Sequence, residues 1–131
     1  PGGIATGVWV GDTYYLSGQL PSPSKAADRA TNTPAVWGNT NEQADNAFQK
    51  VAAGLKEQGL GMGDVVMMRV YMVGVPSLDG KMDSAGMNEA YRTFFGTPEQ
   101  PNKPARATVQ VAALGSPTTL VEIEVQAVKK R

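Results

Sequence analysis

The sequence contains neither cysteine nor histidine. It therefore has no thiolate nucleophile, no imidazole base, no disulfide framework and none of the usual soft or borderline metal ligands. Chemistry falls to Glu, Asp, Arg, Ser, Thr, Tyr, Lys or backbone groups, and no metal or cofactor is expected. The missing cysteine favours no redox compartment. An excess of either charge is lacking too. With 12 basic and 12 acidic residues the formal net charge is +0, so nothing attracts the chain generally to nucleic acid or to an anionic membrane. No apolar run approaches the roughly 20 residues that cross a bilayer, and the opening residues lack the charged and apolar regions of a signal peptide. The first residue is Pro1 rather than methionine, which leaves room for an upstream segment and hence for an exported form.

What is present suffices for one compact domain, 1–131, with a real core. "GVWVGDTYYLSGQLP" reads as two short strands, 6–10 and 13–17, with Gly11 and Asp12 in the hairpin position. Residues 22–39 are rich in Ser, Pro, Ala, Thr and Asn without periodicity, and read as a long surface loop whose one large apolar anchor is Trp37. A helix follows, with Thr40 as N-cap and Gln43 completing a capping box; it runs to about Gln58. Ala44, Ala47, Phe48, Val51 and Leu55 form its apolar stripe. "GLGMGD" has the glycines of a phosphate loop but follows a helix and precedes a strand, the reverse of what that role requires.

"DVVMMRVYMVGV" is apolar on both faces apart from Arg69, as a central buried strand would be. Met62, Met67, Met68 and Met72 read as adaptable core filler. A second helix is capped by Asp83 or Ser84, buries Met87, Ala90, Tyr91 and Phe94, and stops at Gly96. Residues 105–112 and 120–128 are the last strands, joined by turn residues Gly115 and Pro117. The order predicts an α+β fold, two helices on one face of a mixed sheet. Its other face carries apolar residues that another subunit would have to cover. The closing run Lys129–Arg131 reads as a solvated tail.

Alternation puts Arg106, Thr108 and Gln110 on one face of the fourth strand, and Glu122, Glu124 and Gln126 on one face of the fifth. If these strands form a hairpin, Thr108 lies across from Glu122 or Glu124, and Arg106 shares their wall. Two readings of that wall stay open. One is a solvated cross-strand salt bridge; in the other Arg106 clamps a substrate carboxylate through paired hydrogen bonds while a glutamate positions water or a proton.

Taken together, "LSGQLP", "GLGMGDVVMMRVYMV", "MNEAYRTFFG" and "PARATVQVAAL…VEIEVQAV" resemble the RidA family, also called the YjgF/YER057c/UK114 family, in order and over nearly the whole chain. The resemblance implies a chorismate-mutase-like fold, a homotrimer with clefts between subunits, and a cytoplasmic role in controlling metabolite damage. The implied activity is hydrolysis of reactive enamines and imines such as 2-aminoacrylate to 2-keto acids and ammonia, with a small 2-imino or 2-keto acid as ligand; the charge balance and the lack of long apolar runs leave neither nucleic acid nor membrane as an expected partner. It assigns the substrate carboxylate to Arg106 and the attacking water to Glu122. Ser17, Gly18 and Asn88 line the cleft, and Ala107 and Thr108 supply surface and backbone groups. Three positions depart from the family pattern. Ile4 stands where many members carry a tyrosine, Ala107 where many carry a serine, and the 22–39 loop is longer than usual. A trimer that binds a small carboxylate without turning it over is the alternative implied activity, with RNA cleavage or chaperone activity further behind.

Overall fold

A computed structural model describes residues 3–130. Pro1 and Arg131, the last residue of the basic tail, lie outside the described residues. The order is β1 (Gly7–Val10), β2 (Thr13–Gln19), α1 (Thr40–Lys56), β3 (Val65–Val73), α2 (Ser84–Tyr91), β4 (Ala105–Val111) and β5 (Val121–Val128), with short 3-10 turns at Met62–Asp64 and Pro76–Leu78. This is the predicted sequence of elements, and it forms an α+β fold with one mixed five-stranded sheet in the order β1-β2-β5-β3-β4.

Strand pairing departs from expectation at one place, and that place decides the geometry of the site. β4 does not form a hairpin with β5. It runs parallel to β3 on the sheet's edge, and β5 lies between β2 and β3, antiparallel to both. The reason lies in the residues. On β5, Val121, Ile123, Val125 and Ala127 are all buried, so that strand needs neighbours on both sides. β4 exposes Ala105, Ala107, Val109 and Gln110 and suits an edge. Helix α2 serves as the crossover between parallel β3 and β4. The 112–120 connection crosses the end of β3, where Val73 N–H donates to Leu120 O. Buried Gln43 holds it there, donating to Thr118 O at 2.9 Å and accepting from Leu120 N at 2.8 Å.

Both helices cover one face. Ala44, Ala47, Phe48, Val51 and Leu55 of α1 are fully buried, as are Met68, Val70 and Met72 of β3 and Met87 of α2. Phe48 sits among the rings of Tyr91, Phe94 and Phe95. Phe95, just beyond α2, is buried, whereas Tyr91 and Phe94 are only partly so. Of the four methionines read as core filler, Met68 and Met72 fill the core and Met62 packs at its margin, but Met67 lies half-buried on the open face.

The capping box of α1 sits one residue earlier than predicted: Asn39 accepts from Glu42 N, and Glu42 reaches back to Asn39 N. This frees Gln43 for its buried role. At α2 the cap is Asp83, which accepts from Gly86 N. The 22–39 segment is more ordered than its composition implies. Bridges Lys25↔Val36 and Asp28↔Thr33 fold it into a two-stranded arm, with Asn32 at positive φ near the tip. Its base is fastened to α1, where Asn46 accepts from Ser22 N and Lys50 donates to Leu20 O, each at 2.7 Å. Trp37, at the arm's end, is half-buried. "GLGMGD" is a structural turn closed by Gly61 N donating to Asp64 Oδ2 at 2.8 Å. The sheet face away from the helices carries Val8, Tyr15 and Val109, all exposed.

Candidate functional site

Arg106 and Glu122 lie on opposite faces of the sheet. In register, Arg106 is beside Met68 and Met68 beside Val125, both buried under the helices. Glu122 is beside Tyr71 on the open face. The single wall expected from a β4–β5 hairpin therefore does not exist within one chain, because inserting β3 between the strands changed which rows share a side.

On the helix side, the Arg106 guanidinium lies 4.8 Å over the Tyr91 ring, where the aromatic face attracts a cation. Its Nη2 donates to Asn88 Oδ1 at 2.6 Å, and Nη1 approaches Met87 Sδ at 3.8 Å. Asn88 and Tyr91 are three residues apart on α2 and so present to the same side. The fork makes no salt bridge to a described residue. It borders a cavity of about 410 Å³ lined by Asn88, Tyr91, Arg92, Phe95, Gly96, Lys103 and Arg106. Burial raises the Tyr91 hydroxyl above its ordinary value, partly offset by Arg106. Thr108, on the same face of β4, has a buried hydroxyl without a hydrogen-bond partner. Ala107 points the other way, beside Arg69.

On the open side, a second cavity of about 570 Å³ is lined by Ile4 to Thr6, Ser17 to Leu20, Glu122 and Glu124. It forms where the pairing of β2 with β5 is irregular, between Leu16 and Gln19. Gly18 sits in that irregularity, and the Glu122 carboxylate packs where a Cβ at position 18 would have to be. The Ser17 hydroxyl donates to Ala5 O at 2.5 Å, which fastens the first residues along the cavity. Ile4, where the resemblance leads one to expect a tyrosine, is in this lining and 92% exposed.

Burial raises the Glu122 carboxyl above the usual range, and the neighbouring charge of Glu124 adds to the shift. Glu124 accepts a hydrogen bond from Tyr71 Oη at 2.5 Å and lies 3.8 Å from Arg69 Nη1. That bond is the main cause of the raised Tyr71 hydroxyl, followed by burial.

Ser17, Gly18 and Glu122 thus share one cavity, Arg106 and Asn88 share the other, and Ala107 and Thr108 line neither. Arg92, Lys103 and the part of Tyr91 in the site were not singled out from the sequence, nor was the pairing of Glu124, which alternation had placed beside Glu122, with Tyr71 and Arg69. The three-residue spacing of Asn88 and Tyr91 could have revealed Tyr91. Among the described residues no cluster of three or more acidic side chains could hold a metal, and no helix is long and apolar enough to cross a membrane.

A family model described as "Endoribonuclease L-PSP" matches residues 4–129. A RutC family protein of Saccharolobus solfataricus is 35% identical over 128 residues, 98% of this chain and 88% of that protein. A 2-iminobutanoate/2-iminopropanoate deaminase of Salmonella typhimurium is 33% identical over 130 residues, 99% of this chain and 88% of that enzyme. Among solved structures, Escherichia coli TdcF with bound serine superposes with a TM-score of 0.73 at 29% identity, covering 99% of this chain and 91% of that one.

Proposed function

The chain belongs to the endoribonuclease L-PSP family, which includes the YjgF and RidA proteins, and on that footing we propose that it hydrolyses 2-imino and enamine acids to 2-keto acids and ammonia. The observation that carries the reading is the division of labour between the cavities. One presents an arginine fork with no carboxylate partner among the described residues, the other a carboxylate with a raised pKa. The charges are complementary and lie on opposite faces, so a whole site needs two copies. We infer a homotrimer of chorismate-mutase-like domains, each spanning 1–131, with clefts between neighbours.

In this mechanism the planar fork of Arg106 holds the substrate carboxylate, and Asn88 and the Tyr91 ring fix the fork. Glu122 holds a water against the reacting carbon. The imine nitrogen takes up a proton, the water oxygen bonds to C2, and Glu122 accepts the proton that the water releases. Glu122 then returns that proton to the amine nitrogen, and the carbinolamine expels ammonia as the C–N bond breaks and its hydroxyl proton passes to water, which restores the proton first taken up and leaves the 2-keto acid. Ser17 and Gly18 shape the water's side of the cleft, and Ala107 and Thr108 offer backbone at its edge. Since such imines also hydrolyse spontaneously, positioning and electrostatics carry the rate. The family model's description carries an RNA-cleaving activity, but a net charge of +0 and the absence of histidine weigh against that reading here.

The test generates 2-aminoacrylate with a serine or threonine dehydratase and traps the imine. Wild type should lower the trapped fraction and Arg106→Ala should not, whereas Glu122→Gln should bind 2-oxobutyrate without turnover. Equal trapping with and without wild type would overturn the deaminase reading and leave carboxylate binding alone.

A further inference from the structure

The Arg106 cavity holds more positive charge than one carboxylate requires. Arg92 at the end of α2, Lys103 in the approach to β4 and Arg106 within β4 all line it, and none of its lining residues is acidic. No salt bridge to a described residue neutralises any of the three. The chain as a whole carries no net charge, so the concentration is local. The helix dipole accounts for a basic residue at the end of α2, and hence for Arg92 taken alone. It does not account for Lys103.

Lys103 is laid across the cavity rim by its surroundings. Its stem passes over Gly96, where a Cβ would stand 2.8 Å from Lys103 Cε and where φ is +70. Pro104 follows and holds the Lys103 backbone extended. The preceding residue is anchored by Asn102 Nδ2 donating to Gly63 O at 3.1 Å. The volume, about 410 Å³, suits a small metabolite.

We propose that the preferred ligand of this cavity is a 2-keto or 2-imino dicarboxylate, with Arg106 on the carboxylate beside the reacting carbon and Lys103 with Arg92 on the second one. The proposal rests on the Arg106 clamp of the preceding section and adds a selectivity to it. Calorimetry on the full chain with 2-oxoglutarate and 2-oxopentanoate, which share a carbon skeleton and differ in the second carboxylate, separates the two. Wild type should bind the diacid about tenfold more tightly, the effect of one charge-assisted hydrogen bond. Lys103→Met and Arg92→Met, both at exposed positions and expected to fold, should shrink that ratio toward one. Arg106→Ala should weaken both acids. Equal wild-type affinities, or a ratio unchanged in both the Lys103→Met and Arg92→Met variants, would overturn the dicarboxylate preference and leave the clamp standing. Wild-type affinity of Arg106→Ala for both acids would sink the clamp itself, and binding of neither acid by wild type would remove both.

Discussion

The cavity around Arg106 and the cavity around Glu122 are built on opposite faces of one sheet and by opposite means. The first is assembled from the end of α2, the segment leading into β4 and β4 itself, and its charge is positive against aromatic rings. The second is a gap in strand pairing, opened where β2 leaves register with β5, and its charge is negative. Arg106 is steadied by Asn88 and Tyr91; Glu122 is steadied by the space that Gly18 leaves. What keeps them apart is β5, whose buried residues claim the place beside β3 and send β4 to the edge. The carboxylate anchor proposed at Arg106 and the water-holding base proposed at Glu122 therefore cannot meet within one copy.

The strongest way to break this comparison is to mix variants. Arg106→Ala and Glu122→Gln should each be inactive, yet after co-refolding in equal amounts roughly a quarter of shared sites would combine both intact halves. Recovered deaminase activity near that fraction is the expected outcome. No recovery, with mixed oligomers demonstrated by mass, would mean that the two halves do not meet across copies.

A smaller effect separates the Glu122 side from the fold that carries it. A Cβ at position 18 would collide with the end of the Glu122 side chain, a flexible group that can swing away. Gly18→Ala should therefore keep its thermal stability while losing about 100-fold in turnover, the scale expected for a displaced catalytic group. At Gly74 the added Cβ would meet the Gly80 carbonyl, which cannot swing away, so Gly74→Ala should unfold at lower temperature. Retained turnover in Gly18→Ala would remove Glu122 from the water's side of the site.

How these features relate to the sequence is instructive. Element order was legible because each segment carries its own period: helical spacing from Ala44 to Leu55, alternation from Val121 to Ala127. The faces of individual strands were legible for the same reason, since Arg106 with Thr108 and Glu122 with Glu124 do alternate as read. Strand partners were not. Two strands adjacent in sequence were assigned to each other, but pairing depends on which strand must be covered on both sides, a property of the whole sheet. The cap at Asn39 was missed because Asn39–Glu42 and Thr40–Gln43 both satisfy a capping pattern, and only the burial of Gln43 under the 112–120 connection distinguishes them. The ordered arm had no period to read, as two isolated bridges impose none.

The finest test concerns the two glutamates of β5. Burial is the main cause of the raised Glu122 pKa, and Glu124 the lesser one. In the proposed mechanism the water-holding form of Glu122 is ionised, so turnover should fall as pH drops through that raised value. Glu124→Gln removes the lesser cause while its amide oxygen can still accept from Tyr71, so the acidic limb of the pH–rate profile should move to lower pH but stay above that of an ordinary glutamate. The same shift has a consequence for stability. A folded-state pKa above the unfolded one contributes stability that is complete below the unfolded value and lost as pH rises through the folded value. Ionising Glu122 thus runs against the preference of its surroundings, and Glu122→Gln should be at least as stable as wild type at pH 7 while inactive. A Glu122→Gln protein that unfolds more readily than wild type at that pH would indicate that the carboxylate serves the fold rather than the water.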